Sequence, residues 1–151
     1  MNLKKLAGSG DNIMLLTLPF LVIGLVLNIW RPALFAVGGP PPALRVLSII
    51  LLVPGLIIWL WSVVLILTKV PRQELITGGP YALVKHPLYT SVALLVLPWV
   101  GFLLNSWLGL LLGIILYIAS RLFAPQEEED LSRLFGTAWD EYDRRVMIPW
   151  L

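Results

Sequence analysis

The stretch TGGPYALVKHPLY, residues 77–89, separates two long apolar segments and contains the single His of the chain. Two apolar segments later comes QEEED, residues 126–130, a dense run of acidic side chains. Polar groups are scarce, since only 13% of the residues are charged. Because both clusters lie next to apolar segments, we predict that they form the two halves of one site at a membrane surface.

Composition places the chain in a lipid bilayer. It has 151 residues, enough for one domain spanning 1–151, and 58% of them are hydrophobic, with a mean hydropathy of +0.87. A soluble domain of this size could not bury so much apolar surface, so we predict an integral membrane protein. A net charge of +2 does not point to nucleic acid. With no Cys and one His, we expect no metal site.

The hydropathy pattern predicts an all-α fold with four transmembrane helices. Each apolar segment has at least 17 residues, about enough to cross a hydrocarbon core of roughly 30 Å, and segments in that core must be helical. They lie at residues 13–30, 44–67, 88–104 and 107–123. Asn105 and Ser106 leave almost no loop between the last two, which predicts a tight antiparallel hairpin.

The distribution of basic residues predicts the orientation. The N-terminus, the connection at 69–87 and the C-terminal tail hold nine Lys and Arg residues, whereas the opposite side holds Arg31 and Arg45. The nine are Lys4, Lys5, Lys69, Arg72, Lys85, Arg121, Arg133, Arg144 and Arg145. Because basic residues are enriched on the cytoplasmic side, we predict that both termini and both polar clusters are cytoplasmic.

The tail has the pattern of an amphipathic helix over residues 127–146 that lies along the membrane surface. Its apolar face holds Leu131, Leu134, Phe135, Ala138, Trp139, Tyr142 and Val146. On the same wheel, Glu127 and Glu128 face inward, and Glu129 and Asp130 do not. An acidic helix start is favourable with the helix dipole and accounts for the outer pair. The inward carboxylates need cations or hydrogen-bond donors, because burying them unpaired is costly.

The connection at 69–87 has features of an anion site. The turn at Gly78-Gly79-Pro80 can direct backbone N–H groups at an anion, Lys85 adds a cation, and Pro87 suits the first turn of the next helix. Each feature also has an ordinary interpretation. His86 alone could be an interfacial side chain bonded to the backbone, and the Gly-Gly-Pro turn could be a simple loop between helices.

The motifs together resemble those of the isoprenylcysteine carboxyl methyltransferase and phospholipid methyltransferase superfamily of integral membrane enzymes. The resemblance covers residues 77–149. Its motifs are Gly79-Pro80-Tyr81, KHPLY at 85–89, Glu127-Glu128 and FGTAWDEY at 135–142. Lys85 stands where the family usually has Arg, and Trp139 replaces a Tyr. An Arg would bind a carboxylate through two parallel hydrogen bonds, which Lys85 cannot do.

The resemblance implies a methyltransferase that uses S-adenosylmethionine, with the cofactor held between the hairpin, the loop and the tail. The acceptor would be a lipid or a lipidated or hydrophobic molecule bearing a carboxylate or an amine. Carried over by position, the cofactor-binding residues are Gly79, Pro80, Tyr81, Lys85, His86, Tyr89, Glu127 and Glu128, with His86 and Glu128 as candidate catalytic residues. Glu127 and Glu128 suit the donor's ammonium and diol, and Lys85 and His86 suit its carboxylate.

Two other classes remain open from the sequence. Membrane reductases of the sterol or steroid type have a related site and use NADPH, although they usually have more spans and more basic residues. A non-catalytic membrane adaptor could also keep this fold. Binding of S-adenosylmethionine, of NADPH or of neither would separate the three classes.

Overall fold

The computed structural model of the chain describes residues 10–149 and 151. Lys4 and Lys5, which contribute to the predicted orientation, lie outside the described residues. Within the described part the regular structure is helical, apart from two isolated β-bridges. The main helices are α1 (Gly10–Trp30), α2 (Pro42–Lys69), α3 (Pro87–Leu103), α4 (Leu108–Phe135) and α5 (Thr137–Arg145).

In the described part, three helices are long and apolar enough to cross a membrane: α1, α2 with the turn after it, and α4. They begin and end within a few residues of the apolar segments that predicted them, except at the C-terminal end of α4. Helix α3, which corresponds to the predicted third span, is a shorter apolar helix. The count of four crossings and the hairpin of the last two therefore stay predictions.

Small residues let α2 approach α3 closely. Ser48, Gly55 and Ser62 are spaced by seven residues, lie on one face of α2 and are buried. A Cβ placed on Gly55 would come within 2.5 Å of the Leu95 Cβ. The two hydroxyls donate to carbonyls one turn earlier in their own helix, so burying them leaves no unsatisfied group.

Helices α3 and α4 pack through glycines in the same way. A Cβ on Gly109 would lie 2.0 Å from the Leu97 carbonyl oxygen, and one on Gly113 would lie 2.3 Å from that of Ala93. The middle of α3, Val92–Val96, is a π-helical turn. Such a turn is a common form of local irregularity inside a longer helix.

The tail differs from the predicted helix at 127–146. The acidic run belongs to α4, which continues without a break through Pro125 to Phe135. At 28 residues, α4 is roughly 40 Å long, which exceeds a bilayer core of roughly 30 Å. Its polar C-terminal third can therefore extend beyond the lipid. The helix ends at Gly136, whose φ of +52° is unfavourable for residues with a side chain, and α5 starts in a new direction.

The segment from α5 to the C-terminus returns to the connection at 69–87. The Tyr142 hydroxyl donates to the Tyr81 carbonyl at 2.9 Å, and the backbone N–H of Ile148 donates to the Leu83 carbonyl at 2.9 Å. Trp139, Tyr142 and Val146 form a buried apolar cluster under this connection. The tail is thereby fixed against the loop that carries the Gly-Pro-Tyr and His-Pro motifs.

Candidate active site

A cavity of about 320 Å³ lies where the loop, the tail and the helix ends meet. Small-molecule pockets usually have volumes of about 300–1,000 Å³, so the cavity can hold at least part of a cofactor-sized ligand. Its walls come from the start of α1, the end of α2, the start of α3, the C-terminal third of α4 and α5. The lining residues are Gly10, Asp11, Ile66, Val70, Glu74, Leu75, Ile76, Tyr81, Lys85, His86, Leu88, Tyr89, Glu127, Leu131, Phe135, Trp139 and Tyr142.

Local backbone preferences position the loop side chains. Helix α3 begins at Pro87, where the missing N–H of proline is no loss, and this places His86 immediately before the helix. Gly79 has a φ of +63°, and a Cβ there would come within 3.0 Å of the Trp61 ring. The glycine therefore allows both the left-handed turn and the close approach of the loop to α2.

Lys85 is the central cation of the site. Its side chain is 9% exposed, and its Nζ lies 2.8 Å from Glu128 Oε2 and 2.5 Å from Asp143 Oδ1. The Trp139 ring centroid is 6.0 Å away. Burial acts to lower the pKa of Lys85, but the hydrogen bonds and charges of Asp143 and Glu128 outweigh it and raise the pKa. Lys85 is therefore a charged ammonium held between two carboxylates.

Glu128 joins the loop to α4. While one carboxylate oxygen accepts from Lys85, the other lies 3.3 Å from His86 Nε2. The three side chains bring together the two polar clusters of the sequence, which lie more than 40 residues apart. A carboxylate at this position fixes the orientation of the imidazole ring and favours the tautomer with its proton on Nε2.

Glu127 lies on the wall of the cavity, next to two tyrosines. Burial raises the pKa of the Tyr81 hydroxyl, and the negative charge of Glu127 raises it further. Tyr81 therefore keeps its proton at neutral pH and remains a hydrogen-bond donor. Tyr89 lines the cavity on the side of α1, where its hydroxyl would lie 3.0 Å from a Cβ placed on Gly10.

The structure separates the predicted site residues into three groups. Five of them line the cavity: Tyr81, Lys85, His86, Tyr89 and Glu127. Glu128 contacts Lys85 and His86 but is not a lining residue, and Gly79 and Pro80 shape the loop without lining the cavity. Of the acids predicted to face outward, Glu129 is exposed and pairs with Arg133, whereas Asp130 is half-buried.

Three acidic residues near the cavity were not among the predicted site residues. Asp143 contacts Lys85, while Asp11 and Glu74 line the cavity, and Glu74 forms an ion pair with Lys69. A signal for Asp143 was present, since it follows the buried Trp139 by four residues and therefore shares its helix face. Across residues 10–149, the structure contains no cluster of three or more His, Asp or Glu side chains suited to a metal ion.

A comparison of the sequence with known protein families gives one match. The family model of the phospholipid methyltransferases matches residues 44–138, which is more than half of the chain. The matched region runs from the start of α2 to the first residues of α5 and includes both motifs that meet at Lys85. No curated protein and no solved structure shows a significant match to the chain.

Proposed function

The chain belongs to the phospholipid methyltransferase family, and we propose that it transfers a methyl group from S-adenosylmethionine to a lipid or another hydrophobic acceptor. The family and the apolar helices support a methyltransferase embedded in a membrane. One observation carries the finer proposal. Four residues of the loop motifs, Tyr81, Lys85, His86 and Tyr89, line one cavity together with Glu127, which is distant from them in sequence.

The cavity's side chains suit the chemical groups of this donor. S-adenosylmethionine carries an ammonium, a sulfonium, a carboxylate, a ribose diol and an adenine ring. We assign Glu127 to accept hydrogen bonds from the ammonium or the diol, and the hydroxyls of Tyr81 and Tyr89 to donate. The aromatic rings of Phe135 and Trp139 supply an apolar wall on which an adenine ring could pack.

The contacts of Glu128 favour a supporting role over direct contact with the donor's ammonium. Both of its oxygens face side chains of the loop, one toward Lys85 and the other toward His86. We therefore assign Glu128 to hold these two side chains at the cavity. Lys85 could still donate one of its three protons to the donor's carboxylate, because two carboxylate partners leave a third donor available.

The chain's main task is to position two reactants. When bound, the donor supplies an electrophilic methyl group on sulfur, and the transfer is an in-line displacement that depends on alignment. An amine acceptor must first lose a proton, whereas a carboxylate acceptor is already nucleophilic. If Nε2 of His86 donates to Glu128, the free Nδ1 is the basic nitrogen that can accept that proton.

The apolar part of the lining supports a hydrophobic acceptor. Ile66 and Leu88 belong to helices that are apolar over most of their length, and Leu131 adds to the same wall. Because the cavity joins apolar side chains of membrane helices to charged groups of the loop, an acceptor with a lipid tail could approach from the bilayer. The water-soluble donor would approach from the polar side.

Binding measurements on the full chain in nanodiscs test the proposal. Calorimetric titration should show saturable binding of S-adenosylmethionine and none of NADPH. Incubation with methyl-labelled donor and a total lipid extract should then transfer the label into the lipid fraction. Binding of NADPH without S-adenosylmethionine would overturn the proposal in favour of a reductase. Binding of neither ligand would overturn it in favour of an adaptor.

A further inference from the structure

The ionised side chains around Lys85 carry an excess of negative charge. Two carboxylates, Glu128 and Asp143, face one ammonium, so these three side chains, here called the Lys85 cluster, have a net charge of −1. Asp11, Glu74 and Glu127 on the cavity walls are also acidic, and Glu74 is paired with Lys69. Among the described side chains, the Lys85 cluster therefore adds net negative charge beside the cavity even though a lysine lies on the cavity wall.

This excess matters because the donor and its product differ in charge at one atom. S-adenosylmethionine has a positive sulfonium, and S-adenosylhomocysteine, which remains after transfer, has a neutral thioether. The other groups of the two molecules are the same. Hydrogen bonds to the ribose, the carboxylate or the adenine therefore stabilise both equally, whereas net negative charge around the cavity stabilises only the donor's additional charge.

We propose that Asp143 determines the preference of the cavity for the charged methyl donor over the neutral product, by offsetting the charge of Lys85. The inference rests on the proposed function. Without Asp143, Lys85 and Glu128 would neutralise each other, and the cluster would no longer attract the sulfonium. Asp143 lies outside the matched residues 44–138, at the point where the returning tail meets Lys85.

The fold explains why Asp143 can act on the cavity from behind Lys85. Its neighbour Tyr142 is bonded to the Tyr81 carbonyl, and Trp139, one turn earlier, packs in the buried cluster under the loop. These contacts hold the carboxylate against an ammonium that is 9% exposed. The charge of Lys85 is therefore offset by a carboxylate that does not line the cavity, and the third ammonium proton can point toward the cavity.

The measured quantity is the ratio of the two dissociation constants, product over donor, for the full chain in nanodiscs. We expect Asp143→Asn to lower this ratio by about three- to tenfold, the size of effect expected for one charge at the edge of a partly solvated cavity. Asp143→Glu should restore it. A purely structural role for Asp143 would weaken both ligands alike and leave the ratio unchanged.

Two further variants make the test specific for charge. The double variant Lys85→Gln with Asp143→Asn returns the cluster to a net charge of −1, so its ratio should move back toward the wild-type ratio even if both affinities fall. Asp140→Asn is the matched control, because it removes the same charge from an exposed position of the same helix. Its ratio should equal that of the wild type.

Each outcome has a distinct meaning. An unchanged ratio in Asp143→Asn, or a ratio that stays low in the double variant, overturns the role of Asp143 while leaving the proposed methyltransferase function intact. If wild-type protein binds neither S-adenosylmethionine nor S-adenosylhomocysteine, the proposed function itself fails. An equal change in Asp140→Asn would show that the ratio reports overall charge, which also overturns the proposal.

Discussion

The two ends of the helical bundle are both closed by polar contacts, but of different kinds. At the end away from the cavity, hereafter the far end, neutral contacts join the two connections. The Trp107 backbone N–H donates to the Phe35 carbonyl at 2.9 Å, and the Gly39 N–H donates to Asn105 Oδ1 at 2.8 Å. The Phe35 and Trp107 rings also pack, with centroids 4.9 Å apart.

At the cavity end, hereafter the site end, the contacts include buried and half-buried charges. Lys85, Glu128 and Asp143 meet there beside His86 and the acidic wall of the cavity. Neutral hydrogen bonds are present as well, as between Tyr142 and Tyr81. The loop and the tail would therefore be joined even without the ionised side chains.

The difference between the ends supports the proposal that the charges at the site end serve a ligand. Removing ions from water is expensive, and a buried ion pair often stabilises a protein no better than apolar side chains of the same size. The far end shows that neutral bonds are enough to join two connections in this chain. The charges at the site end therefore point to binding, and each prediction below compares the two ends.

The largest expected difference between the two ends is the side of the membrane on which each end lies. The nine-to-two distribution of Lys and Arg predicts that the site end is cytoplasmic and the far end is not. Topology reporters fused after Leu151 and inserted within residues 31–43 should therefore report opposite compartments. Reporters on the same side would contradict both the orientation and the even number of crossings.

Stability should be more sensitive at the site end. Lys85→Met leaves Glu128 and Asp143 facing each other without a cation, and we expect a loss of about 2–4 kcal/mol, reduced from the fully buried case because both carboxylates are partly exposed. Ser106→Ala removes the far-end bond to Asn28 and should cost about 1 kcal/mol. Denaturant unfolding in detergent measures both. Equal losses of stability in Lys85→Met and Ser106→Ala would contradict the expected difference between the two ends.

Ligand binding should depend on carboxylates of the site end that face inward. Glu127→Gln should weaken S-adenosylmethionine binding by about 1.5–3 kcal/mol, the range for hydrogen bonds to charged groups. Glu128→Gln and His86→Ala should weaken it by a similar amount, because Glu128 holds Lys85 and His86 at the cavity. Glu129→Gln is the control, since Glu129 pairs with Arg133 on the surface and should change affinity little. Calorimetry measures the affinity of each variant for S-adenosylmethionine. An effect of Glu129→Gln as large as that of Glu127→Gln would argue against the proposed site.

Two adjacent glycines of the loop should differ in their tolerance of a side chain. Gly79→Ala should destabilise the protein by about 1–2 kcal/mol, because φ is +63° and the Cβ would press on Trp61. Gly78→Ala should be nearly neutral, because its backbone is extended and its Cβ would contact nothing within 4 Å. Thermal unfolding of the two variants provides the comparison, and similar unfolding temperatures would mean that the turn is not strained by alanine.

The smallest expected effect is that of alkaline pH on the Lys85 cluster. The pKa of Lys85 is raised above its ordinary value of 10.5, so its stabilising contribution is complete below 10.5 and is lost only as pH rises through the folded-state pKa. The stability difference between wild type and Lys85→Met should therefore be constant from pH 8 to pH 10. A difference that grows within this interval would show that folding lowers the pKa instead, because raising the pH would then relieve the cost of keeping Lys85 charged in the folded state.

Hydropathy alone located the membrane helices well, and it failed where the chain leaves the lipid. The prediction for the second span was 44–67, and α2 covers Pro42–Lys69. The bounds predicted for the tail helix, 127–146, were wrong because the acidic run continues α4 and a second helix starts after Gly136. A wheel assumes continuous helical backbone, whereas Gly136 turns the chain. Leu131 and Phe135 before the turn nevertheless pack against the cluster of Trp139, Tyr142 and Val146 after it.

The site residues differ in how strongly the sequence indicates them. The motif residues Lys85, His86 and Glu128 could be named from the family resemblance and from their polarity in an apolar chain. Asp143 has a weaker signal, because it lies outside these motifs and only its spacing of four residues from Trp139 marks it. Its contact with Lys85 depends on the return of the tail to the loop, which no local pattern predicts.

The sequence by itself determined that the chain is helical, lies in a membrane and carries two polar clusters next to apolar segments. Those properties depend on the length of apolar runs and on the need to satisfy backbone groups without water, which are local. Only the tertiary structure decided that Glu128 contacts Lys85 and His86 and that Asp143 completes the cluster. Such pairings join segments distant in the chain, so they depend on the turn at Gly136 and on the return of the tail to the loop.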